Sequence, residues 1–193
     1  HKMKKFLVLL FVLSFTNIFS QKKNFSLEVN YPLEFSNGNS SNLTGVINSK
    51  IKYRFFNRES FSIGTSYSID LLTGDLQYPY DKESFISHHF NLFGEVPLNS
   101  TNKLIPSLGI GYSTQSYFKS IIIYNNSGEV SSTSEKDTIG GFNISFGGTY
   151  DIFKNFFIQA NFQFIRLYVE DYIAEKKIGF NKNRLKIGVG YRF

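Results

Sequence analysis

The sequence contains no cysteine and no tryptophan, and its 193 residues include one methionine and four prolines. Without cysteine the chain has no disulfide, no cysteine-ligated metal, no thiol nucleophile and no attachment point for a lipoprotein anchor. Its prolines and glycines mark no boundary at which a second domain would begin. We therefore expect one domain with no cofactor and no metal site.

Long apolar runs are also missing after the first 20 residues. Met3-Lys4-Lys5 precedes a mostly apolar run that ends at Phe19, and polar residues follow from Ser20. This run is shorter than the ~20 residues of a membrane-spanning helix and has the order of a secretory signal peptide. We predict a signal peptide over residues 1–20, with residues 1–2 as an upstream extension, and a mature domain over residues 21–193.

A large excess of charge is absent as well. Removing the signal peptide leaves 18 basic against 15 acidic residues, a net charge of +3, which is too small to indicate a nucleic-acid partner. Aromatic residues are abundant instead, because 22 Phe and 12 Tyr make up 18% of the chain. A soluble domain has difficulty burying so many rings, whereas a surface that faces lipid accommodates them.

Alternation of apolar and polar residues with a period of two indicates strands that have one apolar face. In the second segment this pattern places Gly45 with the apolar residues and Thr44 with the polar ones. Because an open sheet edge leaves backbone groups unpaired in lipid, we predict an all-β fold, an eight-stranded antiparallel transmembrane up-and-down β-barrel. The eight segments are 25–35, 43–55, 61–71, 86–96, 104–113, 142–152, 156–164 and 185–193.

Connections between these segments alternate in length. Short turns on one side and long polar loops on the other are typical of outer-membrane barrels, with the long loops outside and both chain ends on the periplasmic side. Within 115–137, the longest loop, residues 117–124 and 129–134 predict a hairpin that protrudes above the membrane. The short turns are 57–60, 99–103 and 153–155, and the long loops are 36–42, 73–84, 115–137 and 170–183.

The polar faces are rich in small residues such as Ser62, Gly64, Ser66 and Ser68. Small polar side chains suit the crowded interior of an eight-stranded barrel, whereas a lipocalin-like soluble barrel would carry more Lys and Glu on its polar faces. We therefore expect the apolar faces to point toward lipid. Rings near strand ends are candidates for the two aromatic girdles: Tyr31, Phe55, Phe61, Tyr112, Tyr150, Phe156, Tyr191 and Phe193.

Charged residues on the polar faces are the first candidates for a function. One interpretation is an ionic plug in which the charges pair inside a closed lumen, since buried charges are costly unless paired. The other is a narrow conducting path, which an eight-stranded barrel has little room to hold. The residues concerned are Glu28, Glu34, Asp70 and Glu95, opposite Lys50, Lys52, Arg54, Lys186 and Arg192.

Ser87-His88-His89 is the second candidate. The alternation places His88 toward lipid and His89 toward the interior. A lipid-facing histidine beside a serine would suit hydrolysis of a lipid, in the manner of lipid A deacylases. The neighbouring His-x-Ser element expected of such an enzyme is missing, and Ser87 and His88 point to opposite faces, so we expect no catalytic residue.

The mature chain resembles the small outer-membrane β-barrel family of Bacteroidota, the OmpX/OmpA-barrel-like group typified by PorT-like barrels. The residues that carry the resemblance are Phe19-Ser20-Gln21, Ile105 to Tyr112, Gly147 to Tyr150 and the closing Val189-Gly190-Tyr191-Arg192-Phe193. The resemblance implies a monomer in the outer membrane of a Gram-negative cell. Its partners would be outer-membrane lipid and lipopolysaccharide, the insertion machinery through Phe193, and an extracellular partner at loop 115–137.

Three functions follow as hypotheses. The first is a structural or interaction barrel, without catalysis, that acts through its long extracellular loops. The second is a lipid-modifying enzyme built around His88, and the third is a narrow channel or an accessory of transport or secretion.

Overall fold

The structure, a computed structural model, describes residues 23–35, 43–75, 82–98, 103–124, 130–171 and 176–193. The described part of the chain forms eight strands: β1 Phe25–Phe35, β2 Leu43–Asn57, β3 Ser62–Asp75, β4 Lys82–Glu95, β5 Leu104–Tyr124, β6 Val130–Asp151, β7 Phe156–Asp171 and β8 Lys176–Arg192. No helix among these residues is long and apolar enough to cross a membrane. The predicted signal peptide lies outside the described residues.

Each strand pairs antiparallel with its neighbour in sequence, and β1 pairs with β8, so the sheet closes into a barrel as predicted. Following the paired residues from Val29 through β2 to β7 leads to Gly179 on β8, whereas Val29 itself pairs with Val189. The register therefore advances by ten residues in one circuit. Such a stagger tilts the strands by about 35–45° and leaves an interior that side chains can fill.

The strands are longer than the apolar alternation predicts, because β5 has 21 residues and β6 has 22. The predicted loops 73–84, 115–137 and 170–183 are therefore wrong in their extent, since strands occupy half of the first range and most of the other two. Backbone pairing continues where the amphipathic pattern stops, because the ladder of hydrogen bonds does not require a lipid-facing side.

The hairpin predicted within 115–137 is confirmed in its backbone, which pairs continuously from Tyr117 opposite Asp137 to Tyr124 opposite Val130. The turn of this hairpin lies outside the described residues.

Among the described side chains most apolar ones point outward, and small or charged polar ones point inward, as predicted. The exceptions are five buried apolar residues: Leu72, Phe93, Phe157, Ile165 and Leu167. The assignment of Gly45 and Thr44 is wrong, because Gly45 is buried and Thr44 is exposed. A bulge between Gly45 and Ile47 adds one residue to β2, so Val46 and Ile47 are both exposed. An extra residue reverses the alternation beyond it, which a strict period of two does not anticipate.

The start of β1 and the end of β8 lie side by side, and Phe193 donates its N–H to the carbonyl of Phe25 at 2.9 Å. The connections between β2 and β3, β4 and β5, and β6 and β7 share this end of the barrel. We call this the periplasmic end and the opposite one the extracellular end, in accordance with the usual orientation of outer-membrane barrels.

Candidate functional site: the lumen and the extracellular hairpin

Charged side chains fill the lumen in two clusters. The extracellular cluster is centred on Arg184, which is fully buried. Arg184 donates to Glu34 at 2.6 Å (Nε to Oε2), to Asp70 at 2.8 Å (Nη1 to Oδ2) and to Gln115 at 3.3 Å. Lys182 also donates to Glu34 at 2.7 Å, and Lys186 also donates to Asp70 at 2.9 Å. The cluster ties together four strands that are distant in sequence.

The periplasmic cluster is centred on Glu95 at the end of β4. Arg54 donates to both of its carboxylate oxygens, at 2.6 and 3.3 Å, and Lys52 donates to it at 3.0 Å. Lys52 also lies 3.1 Å from Glu28 Oε1, an ion pair without hydrogen-bond geometry, while Gln159 donates to Glu28 Oε2 at 2.8 Å. The two clusters bring together most of the predicted interior charges.

Arg192 does not join the predicted acidic residues. It pairs with Asp151 and donates to Thr149 at 2.7 Å, close to the periplasmic end. Lys182 and Arg184 were missed as interior residues, because the eighth predicted segment begins only at Leu185. The signal was present, since both residues continue the inward positions of Lys186 back along the strand.

Two inward-facing rings accompany these cations and were also missed. The ring of Phe93 lies 5.2 Å from Lys52 Nζ and 5.8 Å from the Arg54 guanidinium, and that of Phe157 lies 4.3 Å from the Arg192 guanidinium. A Cβ added to Gly64 would lie within 3.0 Å of the Phe93 ring, so the missing side chain makes room for the ring. Cation–π contacts of this kind stabilise desolvated cations.

His89 lies in the lumen between Ser113 and Asp70. Asn143 donates to Ser113 Oγ at 2.8 Å, Ser113 Oγ lies 2.7 Å from His89 Nδ1, and His89 Nε2 lies 3.0 Å from Asp70 Oδ2. Because the Asp70 carboxylate can only accept, we assign the proton of His89 to Nε2, with Ser113 donating to Nδ1. Arg184 Nη1 also lies 3.2 Å from Nε2. The order serine, histidine, carboxylate is that of a hydrolytic triad.

This triad order does not make a hydrolase site. His89 and Asp70 are fully buried, and Ser113 is 1% exposed. Asp70 is also held by Arg184 and Lys186. A nucleophile needs space for its substrate, and the buried serine has none, so the chain of hydrogen bonds positions side chains of four strands.

His88 points outward, as predicted, and Ser87 points inward and is 1% exposed. His88 Nδ1 lies 2.8 Å from the hydroxyl of Tyr67, and the two rings stack with centroids 6.1 Å apart. The structure therefore does not bring His88 and Ser87 together. Among the described residues, no group of three or more acidic or histidine side chains is arranged to hold a metal ion.

The space between the two clusters is small. A cavity of about 10 Å³ lies among Glu28, Lys50, Asn91, Gln163 and Lys186. Its volume has room for about one water molecule. Asn91 Oδ1 and Gln163 Oε1 are buried without a hydrogen-bond partner, and both residues line this cavity.

The extracellular end of β5 and β6 extends past the neighbouring strands. β4 pairs with β5 only as far as Tyr117, and β7 pairs with β6 only from Gly140. In the described part of the chain, residues 118–124 pair only with residues 130–136, and residues 137–139 pair only with residues 115–117. We call the stretches 118–124 and 130–139 the arm. Seven residues of strand give it a length of roughly 20 Å.

The chain belongs to the outer membrane protein beta-barrel domain family, whose match covers residues 6–193. It is therefore an outer-membrane protein. A search of curated protein sequences found no match.

Similar solved structures include Ail, the attachment invasion locus protein of Yersinia pestis, with 15% identity and a TM-score of 0.55 over 88% of this chain and 96% of that one. Neisserial surface protein A has 14% identity and a TM-score of 0.54 over 88% of this chain and 96% of its own. OprG from Pseudomonas aeruginosa has 10% identity and a TM-score of 0.50 over 88% and 95%. At these identities the similarity shows a shared fold.

Proposed function

We propose that the protein is a non-catalytic outer-membrane barrel whose arm binds an extended segment of an extracellular polypeptide. The observation that carries this proposal is the pair of strand edges at residues 118–124 and 130–139, which have no neighbouring strand among the described residues. Edge strands present backbone N–H and C=O groups that a further strand can pair with.

The composition of the arm supports strand addition. Residues 121–124 are three isoleucines and a tyrosine, and residues 131–134 are all serine or threonine. β-branched and aromatic residues favour strands, and the arm contains no proline, which would block pairing along an edge. An apolar segment on the aqueous side of the membrane also gains from being covered by a partner.

A polysulfated ligand is not favoured. Ail has been solved in complex with the heparin analogue sucrose octasulfate, which is a property of that protein. Residues 118–139 of this chain contain Glu129, Glu135 and Asp137 against Lys119 and Lys136, an excess of negative charge. Like charges repel, so we propose a polypeptide rather than a sulfated polysaccharide as the partner.

The experiment uses a phage-displayed library of random twelve-residue peptides, selected on the protein in lipid nanodiscs. The variant lacks residues 120–134, which an Asn-Gly turn replaces, and it retains every strand pair that closes the barrel. We expect the enriched peptides to alternate apolar and polar residues and to bind the variant at least tenfold more weakly. Equal binding to both proteins, or no enrichment, would contradict the proposal.

A matched pair of substitutions on the arm distinguishes recognition through the backbone from nonspecific binding of peptides. Ile122 and Ser132 lie opposite each other in the register. Ile122→Pro removes a backbone N–H from β5, whereas Ser132→Thr preserves every backbone group. We expect only Ile122→Pro to weaken the binding of the enriched peptides.

A narrow channel is the second candidate, and the lumen favours a plug, because its charges are paired around a cavity of only about 10 Å³. We expect planar bilayers containing the protein to show no single-channel steps, and regular steps would favour conduction. The enzyme hypothesis is tested by comparing lipid A mass spectra of cells with and without the gene. Altered acyl chains in the cells that carry the gene would support this hypothesis.

The Lys-, Asn-, Ile- and Phe-rich composition supports a place among the PorT-like barrels of Bacteroidota. We propose export through cleavage of residues 1–20, which N-terminal sequencing of the mature protein tests, and a monomeric barrel. We also propose that Phe193 is read by the insertion machinery, so that its deletion lowers the amount of assembled barrel in whole cells.

A further inference from the structure

A groove of about 480 Å³ lies on the outer wall of the barrel, across β5 to β8. Gly140 forms its floor, because it carries no side chain, and the rings of Tyr112, Phe142 and Tyr168 surround it. Lys177 lines the groove on β8. These residues face the lipid side of the barrel, where the lumen and the arm take no part.

Arg166 lies beside the groove and faces outward. Its guanidinium lies 5.8 Å from the ring of Tyr168, and Nη1 donates to Asn181 Oδ1 at 3.0 Å. A guanidinium has five N–H donors, and these contacts use one of them. No described carboxylate forms an ion pair with Arg166, so its charge is available to a ligand.

The height of the groove places it at the outer membrane interface. The outward residues of β7 are apolar from Phe156 to Phe164, and Arg166 is the next outward residue. Ten residues of a tilted strand rise by about 25 Å, which equals the height of the apolar band of such barrels. Arg166 therefore lies where the headgroups of the outer leaflet begin.

We propose that this groove binds the phosphorylated sugar headgroup of an outer-leaflet glycolipid of the lipid A type. Arg166 would bind the phosphate with two parallel N–H bonds, the geometry in which guanidinium groups recognise phosphate. The ring of Tyr168 would pack against the sugar, and the hydroxyl of Tyr112, which lies over Gly140, would face it.

Lys177 takes the second role in this site. It already makes an interaction within the protein. We therefore assign the main phosphate contact to Arg166 and an auxiliary contact to Lys177. The proposal goes beyond the function of the arm, and neither depends on the other.

The test titrates the purified full-length barrel in detergent micelles with bisphosphorylated lipid A, fully dephosphorylated lipid A and inorganic phosphate, with native mass spectrometry as the readout. We expect the bisphosphorylated lipid to bind at least tenfold more tightly than the dephosphorylated one, and inorganic phosphate to leave no adduct. Equal binding of the two lipids would overturn the proposal, as would binding of inorganic phosphate with the same affinity.

Variants locate the site. Arg166→Gln combined with Lys177→Gln should reduce the preference for phosphate at least fivefold, and Arg166→Lys should reduce it less, because charge remains without the bidentate geometry. Lys103→Gln is the matched control, since Lys103 is an exposed cation at the periplasmic end. An unchanged preference in the double variant, or an equal loss in the control, would overturn the proposal. A heat-modifiability gel verifies that each variant forms the barrel.

Discussion

Inside the barrel, Arg184 is fully buried and contacts two carboxylates and one amide, whereas the arm extends past its neighbours along two strand edges. Both regions belong to the same antiparallel ladder. In the lumen, side chains of opposite charge replace water as the partners of each charged group, because removing a charge from water is costly unless it is paired. In water that constraint is absent, so a strand edge can stay without a neighbouring strand, as the two edges of the arm do among the described residues.

Under the function that we propose, stability and recognition are located in different parts of the chain. The lumen holds distant strands together through buried ion pairs, whereas among the described residues the arm adds pairing only between β5 and β6. Substitutions in the lumen should therefore change the free energy of unfolding, whereas changes in the arm should change binding.

Arg184→Met tests this comparison with the largest effect. The substitution leaves Glu34 and Asp70 buried with fewer partners, and breaking a buried ion pair costs about 3–5 kcal/mol. We expect a loss of that size in urea unfolding of the barrel in phospholipid, followed by gel mobility. Arg166→Met, on the outer wall, is the control and should change stability by about 0.5 kcal/mol or less. Similar losses in both variants would contradict a central role of the lumen.

Glu95→Gln should have the next largest effect. The amide keeps the shape of the side chain but removes the charge that Arg54 and Lys52 bind. We expect a loss of about 2–4 kcal/mol in the same assay, because two buried cations lose their partner. Glu59→Gln, at an exposed position of the periplasmic turn, should behave like the wild type. A stable Glu95→Gln barrel would show that the periplasmic cluster is dispensable.

Gly111→Ala tests how tightly the lumen is packed. A Cβ at this position would lie well inside 3.0 Å of the Phe90 carbonyl oxygen, whereas one at Gly94 would lie 4.0 Å from its nearest atom. We expect Gly111→Ala to cost about 1–3 kcal/mol through overpacking. Gly94→Ala should be neutral or slightly stabilising, by up to about 1 kcal/mol. If both substitutions have the same effect, close backbone approach at Gly111 is not important.

Shortening the arm should have the smallest effect on stability. Replacing residues 120–134 by Asn-Gly removes only pairs between β5 and β6 beyond the barrel wall. We expect the free energy of unfolding to change by less than about 1 kcal/mol, the size of an ordinary surface change. A larger loss, measured as a shift of the urea midpoint, would show that the arm also stabilises the barrel.

The alternation of residue types was sufficient to predict the barrel, its strand number and the direction of most of the side chains that the structure describes. It was not sufficient where a residue breaks the period of two, as at the bulge after Gly45. It also missed inward apolar residues such as Phe93 and Phe157. An aromatic ring on a polar face is recognised as an interior residue only when the cation that it covers, on another strand, is known.

The candidate site was predictable in kind but not in its pairing. The predicted interior charges Glu28 and Asp70 lie in the lumen, yet nothing in their spacing indicated that Arg184 bridges Asp70 to Glu34. Those partners are more than 100 residues apart in sequence. Their contact depends on the stagger of the strands around the closed barrel.

The sequence by itself determined which face of each strand meets lipid, because the period of two is a local property of the extended backbone. The tertiary structure alone decided which charges pair in the lumen, how far the arm extends and which residues form the outer groove. The reason is that closure of the sheet, with its register of ten residues per circuit, brings together side chains whose positions no local pattern relates.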